Sequence, residues 1–150
     1  MLIRVLAATV AGGIAFFGLG FVIYGLLLDP YMKANMIQYA GLMKEPMPDM
    51  VPLIAANLAN ALLFAFIFDY WAGIRTFVGG LKGGAILMFL ISVTIDLQFL
   101  AFMNLWKGGF VPVIVDIIAA TILGALAGGV IGLVLGLMNK SSAAAPAAAE

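Results

Sequence analysis

The sequence predicts an all-α membrane protein that folds as an antiparallel bundle of four transmembrane helices. Apolar residues make up 65% of the 150-residue chain and charged residues 9%, and the mean hydropathy is +1.21. A soluble domain has about 25% charged residues, so this composition indicates a chain that lies in a lipid bilayer. Four separate apolar runs are each long enough to cross the hydrocarbon core, which takes about 20 helical residues.

The predicted transmembrane helices lie between residues that break or end helices. We place the helices at residues 5–28, 52–72, 83–106 and 110–138. The breakers are Asp29-Pro30, the prolines of residues 46–52, the glycine pairs 79–80 and 83–84, and Gly108-Gly109. Residues 1–140 therefore form one transmembrane domain. Residues 141–150, mostly alanine and serine, are predicted to be a disordered tail because they offer nothing to pack a core.

An even number of spans places both termini on the same side of the membrane. The basic residues on that side are Arg4, Arg75, Lys82 and Lys140, and those on the other side are Lys33, Lys44 and Lys107. Cytoplasmic loops carry an excess of lysine and arginine, so the distribution favours cytoplasmic termini by one residue.

The missing residue types exclude several kinds of chemistry. The chain contains neither cysteine nor histidine, which removes thiolate and imidazole metal ligands, thiol nucleophiles and imidazole proton shuttles. The formal net charge is zero and no basic cluster occurs, so nothing indicates nucleic-acid binding. We predict that the protein is not an enzyme and that it holds no metal and no other cofactor.

Small residues recur at every fourth position in the last apolar run. The row consists of Ala120, Gly124, Gly128, Gly132 and Gly136, and its backward extension reaches Asp116. Such a row lets another helix approach closely, and the partner is either an internal helix or a second copy of the chain. Four residues advance about 400° around a helix, so the row drifts sideways. We therefore expect Asp116 to face the bundle interior and the middle glycines to face a different neighbour.

Two acids lie inside the predicted spans, where a carboxylate is unfavourable and usually faces protein or water. They are Asp96 in the third span and Asp116 in the fourth. Helix geometry puts them at a depth similar to that of three amides, Asn57, Asn60 and Gln98. Two interpretations stay open for this predicted polar layer. It is a proton or cation site, or it is a hydrogen-bonded contact that joins helices.

The longest connection, residues 29–51, is rich in methionine. Helical spacing of Met32, Met36, Tyr39 or Ala40, and Met43 predicts a short amphipathic helix on the membrane surface. The thioethers are either Cu(I) ligands or adaptable packing groups. Asp69 and Arg75, beside the connection of the second and third spans, are expected to be anchors whose charged ends reach the membrane surface.

The chain resembles the small four-helix integral membrane proteins of bacteria that are classed as domains of unknown function. The resemblance rests on hydropathy and on the segments GFVIYGLLLDPYM, FDYWAG and VDIIAATILGALAGGVIGLVLG. It implies a bacterial inner-membrane location and supplies no catalytic residue.

Two functions follow from these patterns. The first is association within the lipid bilayer, as a homo-oligomer or as an accessory subunit of a larger membrane complex. The alternative is a transporter or channel for protons, cations or a small solute that uses Asp96 and Asp116.

Overall fold

The computed structural model describes residues 2–44 and 46–144, and these residues form helices and loops without a β-strand. The α-helices are α1 (Leu2–Gly20), α2 (Asp29–Asn35), α3 (Met50–Phe66), α4 (Phe77–Phe102) and α5 (Phe110–Ala144). Two π-helical segments extend α1 and α3, at Phe21–Leu27 and Ile67–Ala72. The prediction of an all-helical chain is therefore confirmed.

Four helical stretches are long and apolar enough to cross a membrane. They are Leu2–Leu27, Met50–Ala72, Phe77–Phe102 and Phe110–Asn139. The predicted number of candidate spans is confirmed, and the predicted ends are approximate. Below, the terminal end is the end of the molecule where α1 begins and α5 ends, and the loop end is the opposite one.

The glycine pairs that were expected to flank the third span lie inside α4. Thr76 caps this helix, because its hydroxyl accepts a hydrogen bond of 3.1 Å from the Gly79 amide. Glycine lowers intrinsic helix propensity, but here the missing side chains are what allow close contact with α5. The last helix also exceeds its predicted range. Residues 141–144 of the predicted tail are helical, and residues 145–150 lie outside the described part of the chain.

The predicted amphipathic surface helix is too long. α2 ends at Asn35, and Met36 has extended backbone angles of φ −93° and ψ 144°. The chain leaves the helix because Met36 forms an antiparallel bridge with Trp106 in the α4–α5 connection. The Ile37 amide donates to the Leu105 carbonyl over 2.8 Å. Helical spacing of the methionines thus predicted only the first part of this segment correctly.

The four long helices follow one another in the order α3, α1, α5, α4, and each packs mainly on its neighbours in that order. α5 packs most extensively on α4 and also on α1, whereas α1 packs on α3. α3 and α4 therefore lie on opposite flanks. Three rings fill the centre between α1 and α3: Phe16 meets Phe64 edge-on at 5.3 Å between centroids, and Phe64 lies 5.9 Å from Phe68. Ile131 and Leu135 of α5 are also fully buried in this core.

α4 and α5 meet through two facing rows of residues spaced four apart. The α4 row is Gly80, Gly84, Met88, Ser92 and Asp96, all buried. The α5 row is the one identified from the sequence, from Asp116 through Ala120 to Gly136. A methyl group added to Gly84 would collide with the Gly124 carbonyl, and one added to Gly128 would lie 2.6 Å from the Gly80 carbonyl oxygen. The two backbones are therefore in direct contact.

The contacts of the row continue to its end. A methyl group on Gly132 would meet the Thr76 carbonyl, and one on Gly136 the Arg75 carbonyl. The expectation that Asp116 and the glycines face different neighbours is wrong, because α4 and the two residues before it, Arg75 and Thr76, run along the whole ridge. Ridges of residues four apart are inclined to the helix axis, and a partner that crosses along them follows the sideways drift.

A polar cluster at the terminal end joins three of the spans and the connection before α4. The Asp69 carboxylate has no exposed surface, and it accepts from Arg4 Nε at 2.9 Å and from Arg75 Nη2 at 3.2 Å. The Asn139 side-chain oxygen accepts from the same two arginines, at 2.9 and 3.4 Å. Asp69 and Arg75 are therefore partners in a buried network, rather than separate anchors at the membrane surface.

We predict that Gly128→Ala lowers the free energy of unfolding by about 1–3 kcal/mol, the usual effect of overpacking a tight interface. The added methyl group would press on backbone atoms of α4, which cannot move aside as a side chain can. The matched control is Gly18→Ala, because nothing lies within 4 Å of the methyl group that it adds. Equal stability of the two variants in detergent unfolding would show that the close contact is unimportant.

We predict that Asp69→Asn lowers the free energy of unfolding by about 3–5 kcal/mol, because it leaves two arginines without their shared carboxylate. The control is Asp29→Asn, which breaks the exposed 2.9 Å pair with Lys33. An exposed pair of this kind contributes about 0–1 kcal/mol. Denaturation of both variants in the same detergent provides the comparison, and a loss at Asp69 no larger than at Asp29 contradicts the assigned role.

Candidate proton or cation site

Asp96 and Asp116 lie at the loop-end half of the α4–α5 interface. Each acid is six residues from the loop end of its helix, Phe102 in α4 and Phe110 in α5, which corresponds to about 9 Å of helix axis. Their side chains lie close enough to interact electrostatically. Asp96 is 4% exposed and Asp116 is half-buried. The structure thus brings together the two acids that the sequence singled out.

One oxygen of this pair lacks a partner. Asp96 Oδ2 is buried and accepts no hydrogen bond within the described part of the molecule. Ionised carboxylates only accept hydrogen bonds, so two of them that face each other need a shared proton, a bound cation or a bridging water between them. A buried polar atom without a partner is uncommon in native proteins and calls for such an explanation.

Tyr24 is the third member of the site and was not singled out from the sequence as a site residue. It lies in the π-helical segment after α1, half-buried, with its hydroxyl 3.4 Å from the Asp116 backbone oxygen. Its contact depends on how α1 packs against α5, which no local pattern reveals.

The acids have no basic partner among the residues that the structure describes. In the described part of the chain, no ion pair includes Asp96 or Asp116. Lys107, in the α4–α5 connection, is exposed. Ser92, one turn from Asp96, is buried and directs its hydroxyl to the Phe89 carbonyl at 3.1 Å. The charge of the acids is therefore not balanced by an arginine or a lysine.

The three amides of the predicted polar layer do not join the acids. Asn57 donates to the Leu53 carbonyl of its own helix at 2.8 Å and lines a groove between α1 and α3. Asn60 is half-buried on α3, and Gln98 is exposed on α4. Depth in the membrane was inferred from helix length, but the direction around each helix was not. Because α1 and α5 lie between α3 and α4, the α3 amides reach a different part of the molecule.

The helix ends beside the acids are fastened to the segment after α2. The Lys107 amide donates to the Asn35 carbonyl at 2.8 Å, and the Tyr39 hydroxyl donates to the Asn104 carbonyl at 2.7 Å. These bonds fix the connection between the two helices that carry the acids. Pro112 and Val113, in the first turn of α5, are buried at the same end. The acid pair is therefore held by backbone structure on two sides, the α4–α5 interface and this connection.

Neither a protein-family model nor a curated protein nor a solved structure matches the chain. The function must therefore be argued from the geometry of the acid pair and its surroundings.

Proposed function

We propose that the protein transports protons or monovalent cations across a membrane, with the Asp96–Asp116 pair as the binding site. The observation that carries this proposal is the buried, unpartnered oxygen of Asp96 beside a second carboxylate. Keeping acids within a membrane span is unfavourable, and such residues commonly mark the path of an ion. A purely structural contact would be served better by groups that satisfy each other fully.

The chemistry of the site favours a small univalent ion. Two carboxylates and the Tyr24 hydroxyl provide few oxygen ligands, whereas Ca²⁺ takes six to eight oxygens and Mg²⁺ an octahedral shell. A proton needs only the two facing carboxylates. A monovalent cation would be held by the same oxygens together with water. Release of the ion would leave two like charges in contact, which limits how long the empty state persists.

The supporting architecture is an antiparallel bundle of four transmembrane helices. We place it in the inner membrane of a bacterium, with both termini in the cytoplasm. Four helices of sufficient length and hydropathy support the membrane location. The resemblance in hydropathy pattern supports the bacterial assignment, and the excess of one basic residue at the terminal end supports the orientation. The lack of histidine and cysteine supports a role other than catalysis.

A flux assay in proteoliposomes tests the transport proposal. A potassium gradient with valinomycin sets a membrane potential, and an enclosed pH-sensitive dye reports proton entry; a sodium-sensitive dye serves for the cation. We expect flux with the unchanged chain and only the leak of empty liposomes with Asp96→Asn or Asp116→Asn, because each leaves a single carboxylate.

The control for the flux assay is Asp29→Asn, which removes an acid of the loop end outside the spans. It should retain full flux. Asp96→Glu separates loss of the titratable group from loss of the fold, because it keeps a carboxyl group. Unchanged flux in both asparagine variants would exclude the acids from the mechanism.

We also propose association as a second function, on the basis of the exposed first two turns of α3. Residues 50–56 of this helix are exposed on every side, so its first two turns make little contact within one chain. A second copy or a larger membrane complex would cover them. The glycine row no longer supports association, because α4 occupies it.

Native mass spectrometry of the protein in mild detergent tests the association proposal. We expect a dimer, a higher oligomer or a complex with another subunit. Replacing Ile54 on the exposed part of α3 by tryptophan should shift the population toward the monomer, and Ile122→Trp on the exposed side of α5 should not. A strict monomer with no co-purifying protein would remove association as the function.

A further inference from the structure

The loop end of the molecule carries a methionine-rich segment that the proposed transport site does not use. Five of the nine methionines lie between residues 32 and 50. Three of them, Met32, Met36 and Met43, line one pocket of about 330 Å³ beside α2. The sequence predicted that these residues share one face of a helix. The structure brings them to one pocket by a different route.

The backbone around the pocket is fixed at both ends. Met36 follows α2 directly, and its amide still donates to the Met32 carbonyl at 2.8 Å. The bridge to the α4–α5 connection and the Tyr39 hydroxyl bond then hold the extended part of the segment. Gly41 has a positive φ of 77°, which glycine adopts readily and other residues seldom do. This turn brings Met43 back to the same pocket.

The charges at the pocket are already balanced by partners. Lys33 Nζ lies 2.9 Å from the Asp29 carboxylate, and Lys44 Nζ lies 3.1 Å from the Asp49 carboxylate. Each of the two lysines that line the pocket is therefore paired with an acid, Lys33 with Asp29 of the lining and Lys44 with Asp49 outside it. These pairs reduce the repulsion that a univalent cation would meet, and no buried ion pair has to be displaced, because all four side chains are exposed.

Thioether sulfur is a soft ligand that selects Cu(I) over hard cations such as Mg²⁺ and Ca²⁺. Methionine side chains are unbranched and flexible, so three of them can close around one ion from the walls of a pocket. The chain has no cysteine and no histidine. No thiolate or imidazole of this chain therefore competes with the methionine sulfurs for a soft metal ion.

We propose that Met32, Met36 and Met43 form a binding site for Cu(I), with the three thioether sulfurs as its ligands. The lining of this pocket does not include Asp96 or Asp116. Carboxylates are also hard ligands, and a soft ion binds them weakly. Binding of Cu(I) at this site depends neither on transport by the acid pair nor on the orientation of the protein in the membrane.

Titration of the full-length protein in detergent with Ag(I), a redox-stable substitute for Cu(I), tests this site. The buffer contains nitrate and no chloride, and the protein carries ¹³C in its methionine methyl groups. We expect saturation at one Ag(I) per chain in calorimetry. In NMR spectra the methyl signals of Met32, Met36 and Met43 should move together, whereas those of Met88 and Met103 should stay in place. Zn(II) should cause no shift.

Variants provide the second measurement. Replacing Met32, Met36 and Met43 together by leucine keeps the apolar volume and should weaken Ag(I) binding by about 100-fold or more, since even residues behind a ligand can change affinity by about 10–100-fold. The matched control replaces Met47, Met50 and Met103, which are exposed and do not line the pocket. It should bind as the unchanged chain does.

Three results would overturn the proposal. They are Ag(I) binding spread over all methionines, an equal loss of affinity in the control variant, and methyl shifts outside the pocket at one equivalent of Ag(I). The NMR measurement uses the unchanged protein, so it decides the question even if the triple variant fails to fold.

Discussion

Direct contact between the backbones of α4 and α5 is the constraint on which the remaining structure depends. The facing glycines leave no side chains to separate the two helices, so carbonyl groups of one helix touch Cα atoms of the other. Lipid provides little hydrophobic drive for helices to associate, and close van der Waals packing takes its place. This pairing fixes the rotation of both helices. It also leaves the other side of α5 free to pack on α1, with Ile131 against Gly12.

The same register determines the chemistry near the loop end. Gly84 lies between Gly124 and Gly128. Because both rows have a spacing of four residues, this register also determines that Asp96 lies opposite Asp116. The acids meet because each belongs to the row that packs, and an acid one position away in either helix would face elsewhere. A tight apolar interface thus holds two acid side chains close together, an arrangement that two carboxylates would not adopt alone because like charges repel.

Helix number, the composition of each span, the small-residue row and the position of the two acids within the spans could be predicted from the sequence, because these properties depend on length, hydropathy and spacing. The direction in which each side chain points could not. Asn57 and Asn60 were grouped with the acids by depth, yet they lie on α3, across the molecule from α4. Tyr24 and Asp69 were both missed as contact residues. Each lies in a π-helical segment, where five residues rather than four close a hydrogen-bonded turn, so an α-helical projection misplaces their side chains.

The Asp69 cluster has a consequence for the order in which the chain assembles. Its members come from residues 4, 69, 75 and 139, so two of its hydrogen bonds join positions 65 and 135 residues apart. α4 and α5, joined by a short connection, can pair as soon as both have been synthesised. Arg4 is synthesised first and must wait for Asp69, and the cluster is complete only when Asn139 has been added to the chain. Synthesis from the N-terminus therefore makes this end of the protein the last to close.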